Sequence, residues 1–208
     1  EPFNNAKPVE MNDILGNMIV LLGGNYLPYP KTLKDISNHW ARPYIEFLLA
    51  NNIVNGYKDR TFKPENNITR GEFSKMVVSS LEVELVKYSG EFKDIKGNEW
   101  YADYIATIKE LGLVRGYTDG TFMPNKKISR AEMAIILSNL LDNEKLGKEE
   151  TDRVLAQFKD RSKISVWALE AVARVAKANI MIGNKNEFLP NNYATRAEAA
   201  TTIYRLIH

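Results

Sequence analysis

The chain has 208 residues, a formal net charge of +2 and no cysteine. The near-neutral charge gives no basis for nucleic-acid binding, which depends on clustered basic residues, and the missing cysteines exclude disulfides, zinc–thiolate sites and thiol nucleophiles. The longest apolar run, Met18–Leu22, is far shorter than the ~20 residues that cross a bilayer, so we expect no membrane insertion.

Residues 1–32 lie outside the pattern that dominates the rest of the chain. The apolar spacing of Val9–Leu22 predicts a helix that ends at Gly23 and Gly24. The segment Tyr26–Pro30 is predicted to be extended, because proline disfavours the helical conformation in the residue before it. We interpret this part as a lead-in that packs on the next segment of the chain, or as the tail of an upstream part.

Three copies of one short motif make the remaining chain a repeat protein. The motif reads I-T-R-G-E at Ile68–Glu72, I-S-R-A-E at Ile128–Glu132 and A-T-R-A-E at Ala194–Glu198. Repeats of about 60 residues predict one composite unit in which neighbours cover each other's apolar faces. We place the modules at 33–90, 91–155 and 156–208, and we expect the charged stretch 143–153 before the third module to add a helical turn.

Each module is predicted to be a helix, a loop with short extended pieces and a second helix. The motif starts the second helix, because a hydroxyl residue followed three positions later by glutamate is a capping box. The hydroxyl residues are Thr69, Ser129 and Thr195, and the glutamates are Glu72, Glu132 and Glu198.

An arginine stands at the first position of each capped helix, where the helix dipole disfavours a cation by a few tenths to about 1 kcal/mol. The three are Arg70, Arg130 and Arg196. Because a guanidinium beside free backbone N–H groups suits a carboxylate or phosphate, we interpret them as anion sites. The alternative is shared ancestry, with the side chain covering a neighbouring repeat.

The full pattern resembles the S-layer homology module: Lys-Asp-Ile, a tryptophan, then Gly-Tyr-x-Asp-Gly-Thr-Phe-x-Pro and the capping box. Its landmarks recur in order three times from about residue 33 to the end, with substitutions in individual copies. The resemblance implies a mainly helical fold with minor short β pieces, in which three modules form a pseudo-threefold trimer around a central helical bundle, with grooves between modules. It also implies an extracellular location, at the cell wall or S-layer of a bacterium.

The function implied by the resemblance is non-covalent anchoring of a surface or S-layer protein to a secondary cell wall polysaccharide. The terminal N-acetylmannosamine of this polymer commonly carries a pyruvate ketal, which supplies a carboxylate. No cofactor is implied, and any lattice neighbours in an S-layer would meet parts of the protein outside this chain.

The resemblance also suggests ligand-binding residues at matching positions. The arginines would pair with the carboxylate, and the tryptophans would offer an indole face to the sugar, although each also fits a core helix face: Trp40, Trp100 and Trp167. Three glycines would let the backbone approach the sugar, or serve turns that need positive φ: Gly56, Gly116 and Gly183. Three aspartates would accept from sugar hydroxyls, or cap the first helix or bond the adjacent backbone: Asp35, Asp94 and Asp160.

Two expectations concern the arginines. The third module lacks the tyrosine and the Asp-Gly turn of the second, so we expect the Arg196 site to be weaker than those of Arg70 and Arg130. We also expect Arg130→Ala to weaken wall binding while leaving the thermal midpoint nearly unchanged, because the capping residues remain.

Two other classes of function compete with anchoring. An enzyme is disfavoured, because His39 and His208 are far apart in sequence and the repeated glutamates are committed to capping. We therefore expect no catalytic residues and no metal site. A protein-interaction scaffold is the stronger alternative, since stacked helical repeats often present grooves to peptides.

Overall fold

The computed structural model describes residues 33–141 and 145–208, together with the backbone of 20–22 and 25–27. Strand β1 (Val20–Leu22) pairs antiparallel with strand β2 (Asn25–Leu27). The predicted helix is therefore wrong at 20–22, where β-branched and apolar residues form a strand paired with Asn25–Leu27 instead. The extended prediction is confirmed at Tyr26 and Leu27, and the rest of the lead-in lies outside the described residues.

The described part of the chain is mainly helical, as predicted. Its α-helices are α1 (Arg42–Ala50), α2 (Arg70–Ser80), α3 (Ala102–Glu110), α4 (Arg130–Ser138), α5 (Lys148–Leu155), α6 (Leu169–Lys177) and α7 (Arg196–Leu206). Helices α1, α3 and α6 are the first helices of the modules, and α2, α4 and α7 are the second ones. Helix α5 confirms the added helical segment, although it lies slightly later in the chain than predicted.

Complete capping boxes start all three second helices. In module 1, Glu72 N–H donates to the Thr69 hydroxyl at 3.2 Å, and the Thr69 N–H donates to the Glu72 carboxylate at 2.9 Å. The same reciprocal pair forms at the start of α4 and α7. The first helices carry no such side-chain cap, so they depend more heavily on packing.

The modules pack in a closed cycle. The first helix of each module lies on the second helix of another: α3 on α2, α6 on α4, and α1 on α7. Because the last contact joins the beginning of the repeat region to its end, the arrangement is a ring and not an open stack. The pseudo-threefold arrangement of helix–loop–helix modules is thus confirmed.

Backbone hydrogen bonds close the same ring at its centre. Ile68 N–H donates to the Ala194 carbonyl at 3.0 Å, Ala194 N–H donates to the Ile128 carbonyl at 3.0 Å, and Ile128 N–H donates to the Ile68 carbonyl at 3.1 Å. Each motif is therefore bonded to both of the others, and the three capped helices begin around one axis.

The core follows the module repeat. A fully buried phenylalanine from each Thr-Phe-x-Pro or equivalent loop lies under the arginine that starts the second helix of another module: Phe62, Phe122 and Phe188. The buried faces of α2 and α4 hold larger side chains such as Phe73 and Met133, whereas α7 buries mainly alanines and threonines. Within the described residues, no helix has both the length and the apolar character needed to span a membrane.

Candidate ligand-binding grooves

Three grooves lie between the modules, and each one takes residues from all three. Groove 1 is lined by Gly56, Tyr57, Glu72, Trp100 and Arg196. Groove 2 is lined by Arg70, Gly116, Tyr117, Glu132 and Trp167. Groove 3 is lined by Trp40, Arg130, Gly183, Asn184 and Glu198. Their cavity volumes are about 190, 530 and 340 Å³ respectively.

The composite origin of the grooves changes the expected ranking of sites. Asn184, which replaces the tyrosine in the third module, lies in the groove of Arg130. Arg196 instead faces the intact Gly56-Tyr57 pair of the first module. The expectation that the Arg196 site is the altered one is therefore wrong, because each arginine reaches across to the loop of another module.

The three arginines are buried and bind the neighbouring module. Arg70, Arg130 and Arg196 are 7, 6 and 5% exposed. Their Nε–H groups donate to the carbonyl oxygens of Phe122, Phe188 and Phe62 at 2.9, 2.8 and 2.9 Å. A carbonyl acceptor and a nearby carboxylate offset the unfavourable helix dipole at each position.

The carboxylate beside each arginine is a capping glutamate. The Nη1 atoms of Arg70, Arg130 and Arg196 lie 3.6, 2.9 and 3.1 Å from Oε1 of Glu132, Glu198 and Glu72. The other carboxylate oxygen of each glutamate accepts the capping bond from the backbone. Sequence alone assigned these glutamates to capping. It did not reveal their second role, which is to pair with an arginine of another module.

The backbone donors at the helix starts are not free. Arg70 N–H donates to the Lys126 carbonyl at 2.9 Å, and Gly71 N–H donates to the Pro124 carbonyl at 2.8 Å. The equivalent donors of α4 and α7 are bonded in the same way to Asn192, Pro190, Asn66 and Pro64. The predicted anion receptor made of free N–H groups is therefore wrong, and a ligand can meet only the outer guanidinium edges.

The outer edge of Arg130 differs from those of the other two arginines. Its Nη2 donates to the Ile182 carbonyl at 3.2 Å, so all three of its nitrogens are engaged. Among the described residues, no acceptor bonds Nη2 of Arg70 or Arg196. Burial lowers the pKa of Arg130 despite the neighbouring Glu198 carboxylate. Arg70 and Arg196 are thus better placed to receive a ligand.

Tyrosines support the two open arginines. The guanidinium carbons of Arg70 and Arg196 lie 4.8 and 4.9 Å from the ring centroids of Tyr117 and Tyr57, within the range of a cation–π contact. Groove 3 has Asn184 at the corresponding position. The Gly-Tyr pairing in the sequence was the signal that could have identified these two tyrosines as groove residues.

The tryptophans are exposed and lie on the groove rims. Trp40, Trp100 and Trp167 are 58, 56 and 60% exposed. Each precedes the first helix of its module, so its ring is not held by the helix face that faces the core. The core alternative is therefore wrong, and three indole faces are open to a ligand.

The glycines line the grooves because no side chain fits there. An added Cβ would lie 2.6 Å from Leu33 at Gly56, 2.4 Å from Phe92 at Gly116, and 2.5 Å from the Glu187 carbonyl at Gly183. Only Gly116 of the three has positive φ, at 74°. Close packing thus explains all three positions, and turn geometry contributes at one.

The aspartates hold the loops of their own modules. Both oxygens of each accept backbone N–H groups: Asp35 from Phe62 and Lys63, Asp94 from Phe122 and Met123, and Asp160 from Phe188 and Leu189. The alternative that these aspartates bond the backbone is therefore observed. The N–H groups that they accept belong to a later loop of the module and not to the backbone beside the aspartate. None of the three is among the residues that line the grooves.

Comparison with known proteins agrees with this architecture. The model of the S-layer homology domain matches residues 32–74, 91–134 and 157–200. An amylopullulanase of Thermoanaerobacterium thermosulfurigenes is 39% identical over 181 residues, which are 86% of this chain and 10% of that protein. The S-layer protein sap of Bacillus anthracis is 30% identical over 175 residues, which are 83% of this chain and 21% of that protein.

A third relative, a cellulosome-anchoring protein of Acetivibrio thermocellus, is 32% identical over 148 residues, which are 68% of this chain and 32% of that protein. The chain thus spans between a tenth and a third of the length of these relatives.

Proposed function

The chain belongs to the S-layer homology domain family, and on that premise we propose that its grooves bind the acidic end of a secondary cell wall polysaccharide. Membership of this family places the chain outside the cell, at the cell wall or in an S-layer, as an anchoring module. The finer proposal is that the ligand is a pyruvylated N-acetylmannosamine terminus.

The observation that carries the proposal is the juxtaposition in grooves 1 and 2. Each offers an open guanidinium edge, a tyrosine ring beneath it and an exposed indole in the groove lining. A guanidinium suits a carboxylate, and an aromatic face suits the apolar side of a sugar ring. A sugar that carries a carboxylate matches both features at once.

Several grooves on one rigid body suit a repeating polymer. When neighbouring chains or chain ends are close together, two weak sites on one molecule raise avidity without any new contact. The catalytic activities named for some relatives belong to those much longer proteins. We propose that this chain supplies the attachment and that catalysis, where the whole protein has it, belongs to other parts.

Co-sedimentation with purified cell walls tests the proposal. We expect the chain to sediment with intact walls, to remain in solution with walls stripped of the secondary polysaccharide, and to be displaced by the free polysaccharide. Removal of the pyruvate from the polymer should abolish that displacement. A protein-interaction scaffold would bind stripped and intact walls equally, and that result would overturn the proposal.

A further inference from the structure

In groove 2 a lysine contacts the groove's tyrosine and glutamate, whereas an asparagine occupies the equivalent position beside each of the other two grooves. Three equivalent positions accept the backbone N–H of the groove arginine through their carbonyl oxygens: Lys126 from Arg70, Asn66 from Arg196 and Asn192 from Arg130. All three side chains are exposed. The backbone geometry is therefore shared, and only the second module places a charge there.

Lys126 is tied to the groove by two contacts. Its Nζ donates to the Tyr117 hydroxyl at 2.8 Å and lies 3.5 Å from Oε1 of Glu132. The Tyr117 hydroxyl in turn donates to the same Glu132 oxygen at 2.7 Å. The Tyr117 hydrogen bond, with help from the Glu132 charge, raises the pKa of Lys126. Lys126 consequently places a positive charge on the same Tyr117 and Glu132 side chains that Arg70 contacts.

Distances in the three grooves show how this contact affects the arginine. In groove 2 the tyrosine hydroxyl lies 2.7 Å from Oε1 of the glutamate, and the arginine Nη1 lies 3.6 Å from the same oxygen. In groove 1 the tyrosine–glutamate distance is longer, at 3.4 Å, and the arginine–glutamate distance is shorter, at 3.1 Å. Groove 3 has no tyrosine, and its arginine–glutamate distance is 2.9 Å.

The trend has a simple electrostatic cause. A carboxylate oxygen that already accepts a tyrosine hydroxyl and faces a lysine interacts more weakly with the guanidinium. The positive charge of the guanidinium is then less neutralised and attracts an anionic ligand more strongly. Among the described residues, no lysine pairs with Glu72 or Glu198. Lys75, which lines groove 1, lies over the Trp100 ring at 5.9 Å.

From these contacts we propose that Lys126 is a specificity-determining residue that makes groove 2 the tightest binder of the carboxylate. It does so by holding Glu132 back from Arg70 and by adding a positive charge to the Tyr117–Glu132 pair that faces the arginine. This inference rests on the proposed function and names the residue that distinguishes one groove from the other two. Groove 3, whose arginine is fully engaged, is the weakest of the three.

The chain has three tryptophans, one in each groove, so their indole N–H signals report the grooves separately. We suggest titrating the ¹⁵N-labelled chain with the pyruvyl ketal of methyl N-acetylmannosaminide and following the three indole peaks by NMR. Single Trp→Phe variants assign the peaks. The Trp167 peak should have the lowest midpoint concentration.

Substitutions at the three equivalent positions then test the role of Lys126. Lys126→Gln should raise the midpoint of Trp167 about tenfold and leave the midpoints of Trp40 and Trp100 unchanged, whereas Lys126→Arg should restore tight binding. Asn66→Lys should lower the midpoint of Trp100, because Tyr57 and Glu72 are in place. Asn192→Lys should leave the midpoint of the Trp40 peak unchanged, because groove 3 has no tyrosine.

The outcomes separate this inference from the function on which it rests. If no indole peak moves with the ketal, the proposed function fails. If the peaks move but Lys126→Gln leaves the Trp167 midpoint unchanged, or if Trp40 or Trp100 has the lowest midpoint, the role of Lys126 is overturned while the function stands. Because the Lys126 side chain is 42% exposed, we expect the glutamine variant to keep the thermal midpoint of the parent chain.

Discussion

The backbone amide of Ile68 donates a hydrogen bond to the carbonyl oxygen of Ala194 at 3.0 Å, which joins the first module directly to the third. With its two counterparts this bond closes the ring, and each groove exists only because three modules meet. Folding and binding are therefore linked: a change that opens the ring removes binding surface as well as stability.

Removal of the third module should unfold the others. A fragment of residues 1–155 would expose the face of α1 that packs on α7 and the face of α4 that packs on α6. We expect the intact chain to unfold in one cooperative thermal transition, and the fragment to have a much lower midpoint or none. A fragment that melts at the midpoint of the intact chain would show that the modules are independent.

Arg130→Ala should destabilise the protein, in contrast to the expectation from sequence. The change removes the arginine that bonds Oε1 of Glu198 and the Phe188 carbonyl between two modules, which costs about 2–4 kcal/mol in free energy of unfolding. Urea denaturation measures the loss. Arg115→Ala, at an exposed position in groove 2, is the control and should change stability by less than about 0.5 kcal/mol. Equal effects would refute a structural role for Arg130.

Ser129→Ala tests the capping box of α4. The hydroxyl accepts the Glu132 N–H at 3.2 Å, and its loss should lower the free energy of unfolding by about 1 kcal/mol. Ser165→Ala is a matched control, because Ser165 is exposed and its side chain makes no cap bond. If the two variants denature at the same urea concentration, the cap adds nothing measurable.

Glu132 should make stability depend on acid pH. Burial would raise its pKa, but the Ser129 backbone, the Tyr117 hydroxyl and Arg70 outweigh burial and hold the pKa below its usual value. A carboxyl whose folded pKa is depressed adds stability above the unfolded value of about 4.3, and the added stability is lost as pH falls through the folded value.

The parent chain and Glu132→Gln can be compared across pH to test this effect, since glutamine also suits a capping box. The difference in their free energies of unfolding should be largest near about pH 7 and should shrink below about pH 4. A difference that stays constant or widens in acid would mean that the carboxylate charge is not what stabilises the fold.

Local features were predictable from sequence, and contacts between modules were not. The capping boxes follow from residues three positions apart, so Thr69 and Glu72 could be assigned without a structure. The partners of Arg70 are Phe122 and Glu132 in the next module, which no local pattern reveals. The exposure of Trp100 was equally hidden, because helical spacing cannot distinguish a core ring from one that lies just before the helix.

The structure of the chain bound to the pyruvyl ketal of N-acetylmannosamine tests the central claim most directly. We expect the carboxylate within hydrogen-bond distance, about 3 Å, of the outer guanidinium nitrogen of Arg70, with the sugar against Trp167 in groove 2. A carboxylate bound away from Arg70, Arg130 and Arg196 would contradict the account.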